Sequence, residues 1–149
     1  MNPPGPFPGP LIKRLLAVGV AFVVAWVVYM IAMMMTVYDG LPSLILQPIL
    51  GAIASGLVVG LALILGLLIR IPFVGKLWRR TPWGAALLTA GSAGLLCFGY
   101  ALGLRETFTN PETGRSFQSL HSGAALGGYF ALIFSLANWP FREAAASRP

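Results

Sequence analysis

The sequence predicts an all-α membrane protein, a bundle of four transmembrane helices running up-down-up-down with both termini cytoplasmic. Four apolar runs divide the chain, each near the length that crosses a hydrocarbon core. Hydrophobic residues make up 57% of the 149 and charged residues 9%, whereas about a quarter of a typical soluble domain is charged. The 10 lysines and arginines are shared unevenly between the joining segments. With only 4 acidic residues beside those 10, a soluble fold has too few charges to cover the runs, so they face lipid or one another.

Residues 1–10, MNPPGPFPGP, hold five prolines and read as a flexible leader. The membrane domain then covers 11–140, and 141–149 form a short cytoplasmic tail. In span one, 11–37, Lys13 and Arg14 precede an apolar stretch of over twenty residues without an A-x-A-like cleavage site, so it is read as a retained helix rather than a signal peptide. Asp39 and Gly40 end it. Span two, 43–70, includes Pro48, which is tolerable in a first helical turn because no donor is lost there. Span three covers 81–104. Span four, 122–139, is the shortest, and at about 1.5 Å per residue it reaches about 27 Å. Between the last two lies the external loop 105–121, where Asn110-Pro111-Glu112-Thr113-Gly114 reads as a turn. No internal repeat exceeds the shared hydropathy.

Direction follows from the flanks. Lys13, Arg14, Arg70, Lys76, Arg79, Arg80, Arg142 and Arg148 fall on one side, against Arg105 and Arg115 on the other. The net charge of +6 therefore reads as a topology signal rather than a nucleic-acid footprint. Trp78, Trp83 and Trp139 lie beside span ends, as interfacial aromatics do. An ordinary bacterial inner membrane suits this pattern.

Inside lipid, small residues that permit close backbone approach mark helix contacts. Span four carries Gly123, Gly127, Ala131 and Ser135 at every fourth position, with Asn138 on the same side. Span two offers Ala52, Gly56 and Gly60, and span three Ala86, Ala90 and Gly94. Span one is bulky, with Val, Trp26, Tyr29 and Met, and is read as facing lipid or a partner. The stripes are expected to meet within one bundle; as an alternative, Gly56 to Gly60 docks a second copy or a partner subunit.

The available chemistry is sparse. The membrane-depth polar groups, Thr36, Ser55, Thr89, Ser92, Cys97, Ser135 and Asn138, are all neutral and read as interhelical glue, which argues against proton-coupled transport. Cys97 is the sole cysteine and has no CxxC partner. No GxSxG, HExxH, Walker or dinucleotide motif occurs, so no catalytic residue and no cofactor is assigned. Arg105, Glu106, Glu112, Arg115 and His121 read as a solvated loop, with an external sensor as the alternative. Four of the 5 methionines fall at 30–35; Met30, Met33 and Met34 share an arc of about 100° and Met35 points away. Thioethers suit cuprous copper, yet methionine is also the adaptable filler of apolar contacts. The reading favours pliable packing and no metal, with copper at Met30, Met33 and Met34 as a testable minority view.

The function expected from these features is a small non-enzymatic integral membrane protein. It acts by helix association with itself or another membrane protein, in contact with the lipid bilayer and without nucleic acid. The alternative is a small transporter or channel lined by the Gly-rich faces of spans two to four.

Overall fold

The computed structural model describes residues 9–36, 41–72, 78, 82–109, 114 and 116–140. The proposed leader up to residue 8, the Asn110–Thr113 part of the turn and the 141–149 tail lie outside the described residues. Four α-helices are present among those described: α1 (Gly9–Thr36), α2 (Leu41–Gly66, continued by a 3-10 turn over Leu67–Arg70), α3 (Pro82–Phe98) and α4 (Ser122–Ala137). Between α3 and α4 stands a β-hairpin, β1 (Arg105–Thr109) and β2 (Ser116–Leu120).

Two helices are long and apolar enough to cross a membrane, with windows over Leu11–Met34 and Ile45–Ile69. A core helix of a soluble protein passes the same length test, but it is mostly buried, whereas these windows are only 17% and 22% buried. Ile45, Leu57 and Ile64 are among the large side chains left exposed on α2, and Leu15, Val23 and Met34 on α1. Faces of that extent need an apolar surrounding. Trp83–Phe98 and Ser122–Ala137 are apolar but shorter. The four helices have 28, 26, 17 and 16 residues, or about 42, 39, 26 and 24 Å at about 1.5 Å per residue.

Helix α4 is the hub: it packs on α1, α2 and α3, while α3 packs chiefly on α4. Neighbours alternate in direction. Trp26 of α1 meets Pro48 of α2, and Phe22 lies beside Gly56 farther along, so α1 and α2 are antiparallel. Thr89 of α3 meets Ser135 of α4, and Leu95 meets Gly128, so α3 and α4 are antiparallel too. The core where α1, α2 and α4 converge holds Ala21, Ala25, Val59, Ala62, Ile133 and Ala137.

That core revises two expectations. Span one does carry a small-residue stripe, because Ala17, Ala21 and Ala25 recur every fourth residue and all three are buried. The bulky Val20, Val23 and Val27 project from the other side of the same helix, which is why average bulk concealed the stripe. The inward face of α2 runs through Gly51, Ser55, Val59, Ala62 and Gly66, one position away from the Gly56 and Gly60 stripe.

The ends of span three and the following loop also differ from expectation. Regular helix stops at Phe98, and one irregular turn leads to Gly103. There the Leu104 N–H donates to the Gly99 carbonyl (3.0 Å) and the Gly103 N–H to that of Tyr100 (3.2 Å), with Gly103 at φ +90°. This paired bonding is the Schellman arrangement, which favours glycine at the left-handed position. Hydropathy averages through Leu102 and Leu104 and does not register it. Within residues 105–121, expected as a loop, Arg105–Thr109 and Ser116–Leu120 instead pair as an antiparallel hairpin, with Arg105 opposite Leu120 and Thr109 opposite Ser116. The run Arg-Glu-Thr-Phe-Thr has the alternation and the Thr and Phe content of a strand.

Candidate functional site

The polar side chains at the depth of the long helices fasten one helix to another. At one level the Trp26 indole N–H donates to the Pro48 carbonyl (3.0 Å) and the Tyr29 hydroxyl to Gln47 Oε1 (3.4 Å). Gly51 makes this possible, since a Cβ there would lie 2.7 Å from Tyr29 Cδ1. In the middle the Tyr129 hydroxyl donates to the Ala25 carbonyl (3.2 Å), joining α4 to α1. Ser55 Oγ is fully buried without a well-formed hydrogen bond. On the other side of α4, Thr89 Oγ1 and Ser135 Oγ lie 2.8 Å apart, and each also lies 2.8 Å from a carbonyl of its own helix, Ala85 and Leu132 respectively; with one proton per hydroxyl, the one that donates across the contact leaves its own carbonyl to do so.

At the far end Asn138 caps α4 and crosses to α2. Its Nδ2 donates to the Ala62 and Phe134 carbonyls, both at 3.0 Å, while its own carbonyl accepts from the Trp78 indole (3.0 Å). Gly66 is the opposing residue, and a Cβ there would overlap the Asn138 amide. Asn138 was legible in the sequence as part of the span-four face; Gly66, Gly51 and Gln47 were not. Their signal was the Gly51, Ser55, Val59, Ala62, Gly66 seam, in which small residues recur at steps of four and three.

The sequence-derived packing residues separate into two groups. Ser135 is buried at the α3–α4 contact, and Ala131 is partly buried beside it. Gly60 and Gly127 have open space where a Cβ would stand, and Gly56 has only Phe22 Cε2 at 3.9 Å. Gly123 lies at the exposed start of α4 beside His121. The glycine that α3 does cover is Gly128, with Leu95 Cδ2 at 3.2 Å from a built Cβ. Thus the chain uses the faces next to the Gly56–Gly60 and Gly123–Gly127 stripes and leaves most of those stripes uncovered.

Beside that contact runs an open apolar groove of about 230 Å³, with Leu87, Leu95 and Ala131 on its walls and Gly91 and Gly127 exposing backbone. Met30 and Met33 are half-buried on α1 and Met34 is 58% exposed. His121, the only imidazole, is committed elsewhere: its Nδ1 accepts the Gly123 N–H (3.2 Å) at the N-cap of α4. Among the described residues no cluster of three His, Cys, Asp or Glu side chains has metal-site geometry. Cys97 is exposed on α3.

The hairpin end contains the charged contacts. The Glu106 carboxylate accepts from the Ser122 backbone N–H (2.9 Å), which together with the Ser122 side chain holds its carboxyl below the usual range. The Arg105 guanidinium lies 4.7 Å from the centre of the Tyr100 ring, and its Nε–H donates to the Tyr100 carbonyl (3.0 Å). The Tyr100 hydroxyl in turn donates to Gln118 Oε1 (3.3 Å). These bonds brace the hairpin on the helix ends.

Together these features define a helical protein with two helices long and apolar enough to cross a membrane. No protein-family model, no curated protein and no solved structure matches the chain.

Proposed function

We propose that this chain is a non-enzymatic, four-span integral membrane protein that acts by helix association, as an accessory subunit of a membrane complex or as a homo-oligomer. Both termini are cytoplasmic, the hairpin is external, and the setting is a bacterial inner membrane. The alternating helix directions and the lysine and arginine asymmetry support this topology. The observation that carries the functional reading is the uncovered glycine surface: Gly91 and Gly127 in the α3–α4 groove, with Gly56 and Gly60 on α2. Small residues let another helix approach closely, and in lipid that contact is the main source of association. A path through a single chain gains no such support, because Ala21, Ala25, Val59, Ala62 and Ile133 fill the meeting point of α1, α2 and α4.

The test is co-purification of two differently tagged copies, together with any bound protein, from native membranes in mild detergent. The reading expects a second copy or a stoichiometric partner that is lost in Gly127→Ile or Gly56→Ile. Recovery of the intact chain as a monomer without partners overturns it.

A further inference from the structure

We propose that the α3–α4 groove receives a transmembrane helix of a different protein, one that carries a neutral hydrogen-bonding side chain, Ser, Thr, Asn or Gln, at the depth of Ser92. This rests on the association reading and gives this face to a foreign helix rather than to a second copy.

The observation is a hydroxyl left over at the bottom of the groove. Ser92 is the one polar side chain among those that line it, and only 6% of the residue is exposed. Among the described residues its hydroxyl makes no hydrogen bond, whereas Thr89, one turn earlier, has both the Ala85 carbonyl and Ser135 Oγ at 2.8 Å. A polar group withdrawn from water is stabilised by finding a partner, and hydrocarbon supplies none. The occupant of the groove must therefore bring one.

Three occupants lack it. An acyl chain has no polar atom to offer. A water molecule needs about two to four polar partners, and the rest of the lining is Leu, Ala and Gly. A second copy inserted the same way meets this one at equal depth, and there it is apolar. Ser92 sits between Thr89, opposite Ser135, and Leu95, beside Gly128, which sets it level with Ala131 of α4. Tyr129 reaches Ala25 of α1, while Ile133 shares the core with Ala21 and Val59, so the outward side chains at this level include Val23 on α1 and Leu57 on α2. Ser55 of α2 is fully buried, and the exposed Cys97 of α3 lies five residues farther along, about 7.5 Å away.

A foreign helix can reach the hydroxyl because the sides of the groove are bare. Gly91 and Gly127 have nothing within 4 Å of a built Cβ, so another backbone can lie against them and lower a polar side chain toward Ser92.

Photo-cross-linking of the full chain in liposomes tests this with two synthetic helices of about 23 leucines and alanines. One has Asn at its centre and the other Leu, and each carries a photoreactive leucine beside that position. The Asn helix should cross-link to α3 and α4 about threefold to tenfold more than the Leu helix, the scale of one interhelical hydrogen bond. Ser92→Ala, which favours helix, should bring the ratio to about one. Gly127→Ile should lower cross-linking of both probes. Equal cross-linking of the two probes, a preference that persists in Ser92→Ala, or an undiminished signal in Gly127→Ile each overturns the proposal. Copies of the chain that co-purify without any such preference would keep the association reading and remove this one.

Discussion

Glu106 Oε2 accepts the backbone N–H of Ser122 at 2.9 Å, so a hairpin carboxylate occupies the N-terminus of the helix on which the other three helices pack. Because this bond and its neighbours lower the carboxyl pKa, the stabilisation is complete above the unfolded carboxylate pKa and fades as pH falls through the folded one. Glu106→Gln is expected to be less stable than the unsubstituted protein near neutrality, with the difference closing at acid pH. Thermal unfolding in detergent across pH 3–7 measures this.

Gly66 and Gly60 are both glycines on α2, yet they should respond oppositely to alanine. Gly66→Ala places a methyl on the Asn138 amide and should cost about 1–3 kcal/mol, the range for overpacking. Gly60→Ala meets open space and should be neutral or slightly stabilising, because alanine favours helix. Equilibrium unfolding of the two variants in one detergent makes the comparison.

The Thr89–Ser135 hydrogen bond is expected to contribute modestly, since the hydroxyl that donates across the contact gives up the carbonyl of its own helix. A double-mutant cycle with Thr89→Val and Ser135→Ala should give a coupling of about 0.6 kcal/mol. A coupling near zero would mean that the two hydroxyls act only within their own helices.

Orientation can be read with single cysteines in a Cys97→Ser background. Gly114→Cys should react with an impermeant maleimide from outside intact cells, and Lys13→Cys only after the membrane is opened. The reverse pattern would overturn the proposed topology.

Helix positions were legible because apolar length is a property of composition along the chain. Register was less so. Small residues occupy two adjacent strips of α2, and nothing in Gly56 or Gly60 says that Gly51, Ser55 and Gly66 are the ones turned inward. That choice is made by Tyr29 and Asn138, the side chains that need the vacated volume. The hairpin was obscured because the turn residues in the sequence from Asn110 to Gly114 are a stronger signal than the short strands. The alanine stripe of α1 was concealed by its valines. Asn138 was found because a polar side chain at the end of an apolar run has few alternatives to a helix neighbour.

The difference in helix length gives the molecule two heights around its perimeter. Along α1 and α2 its wall exceeds an apolar slab of about 30 Å by a full turn or more, while along α3 and α4 it falls short by several ångströms. A surrounding of uniform thickness cannot match both sides. In the four-span arrangement proposed above, lipid would thin beside α3 and α4 and crowd beside α1 and α2.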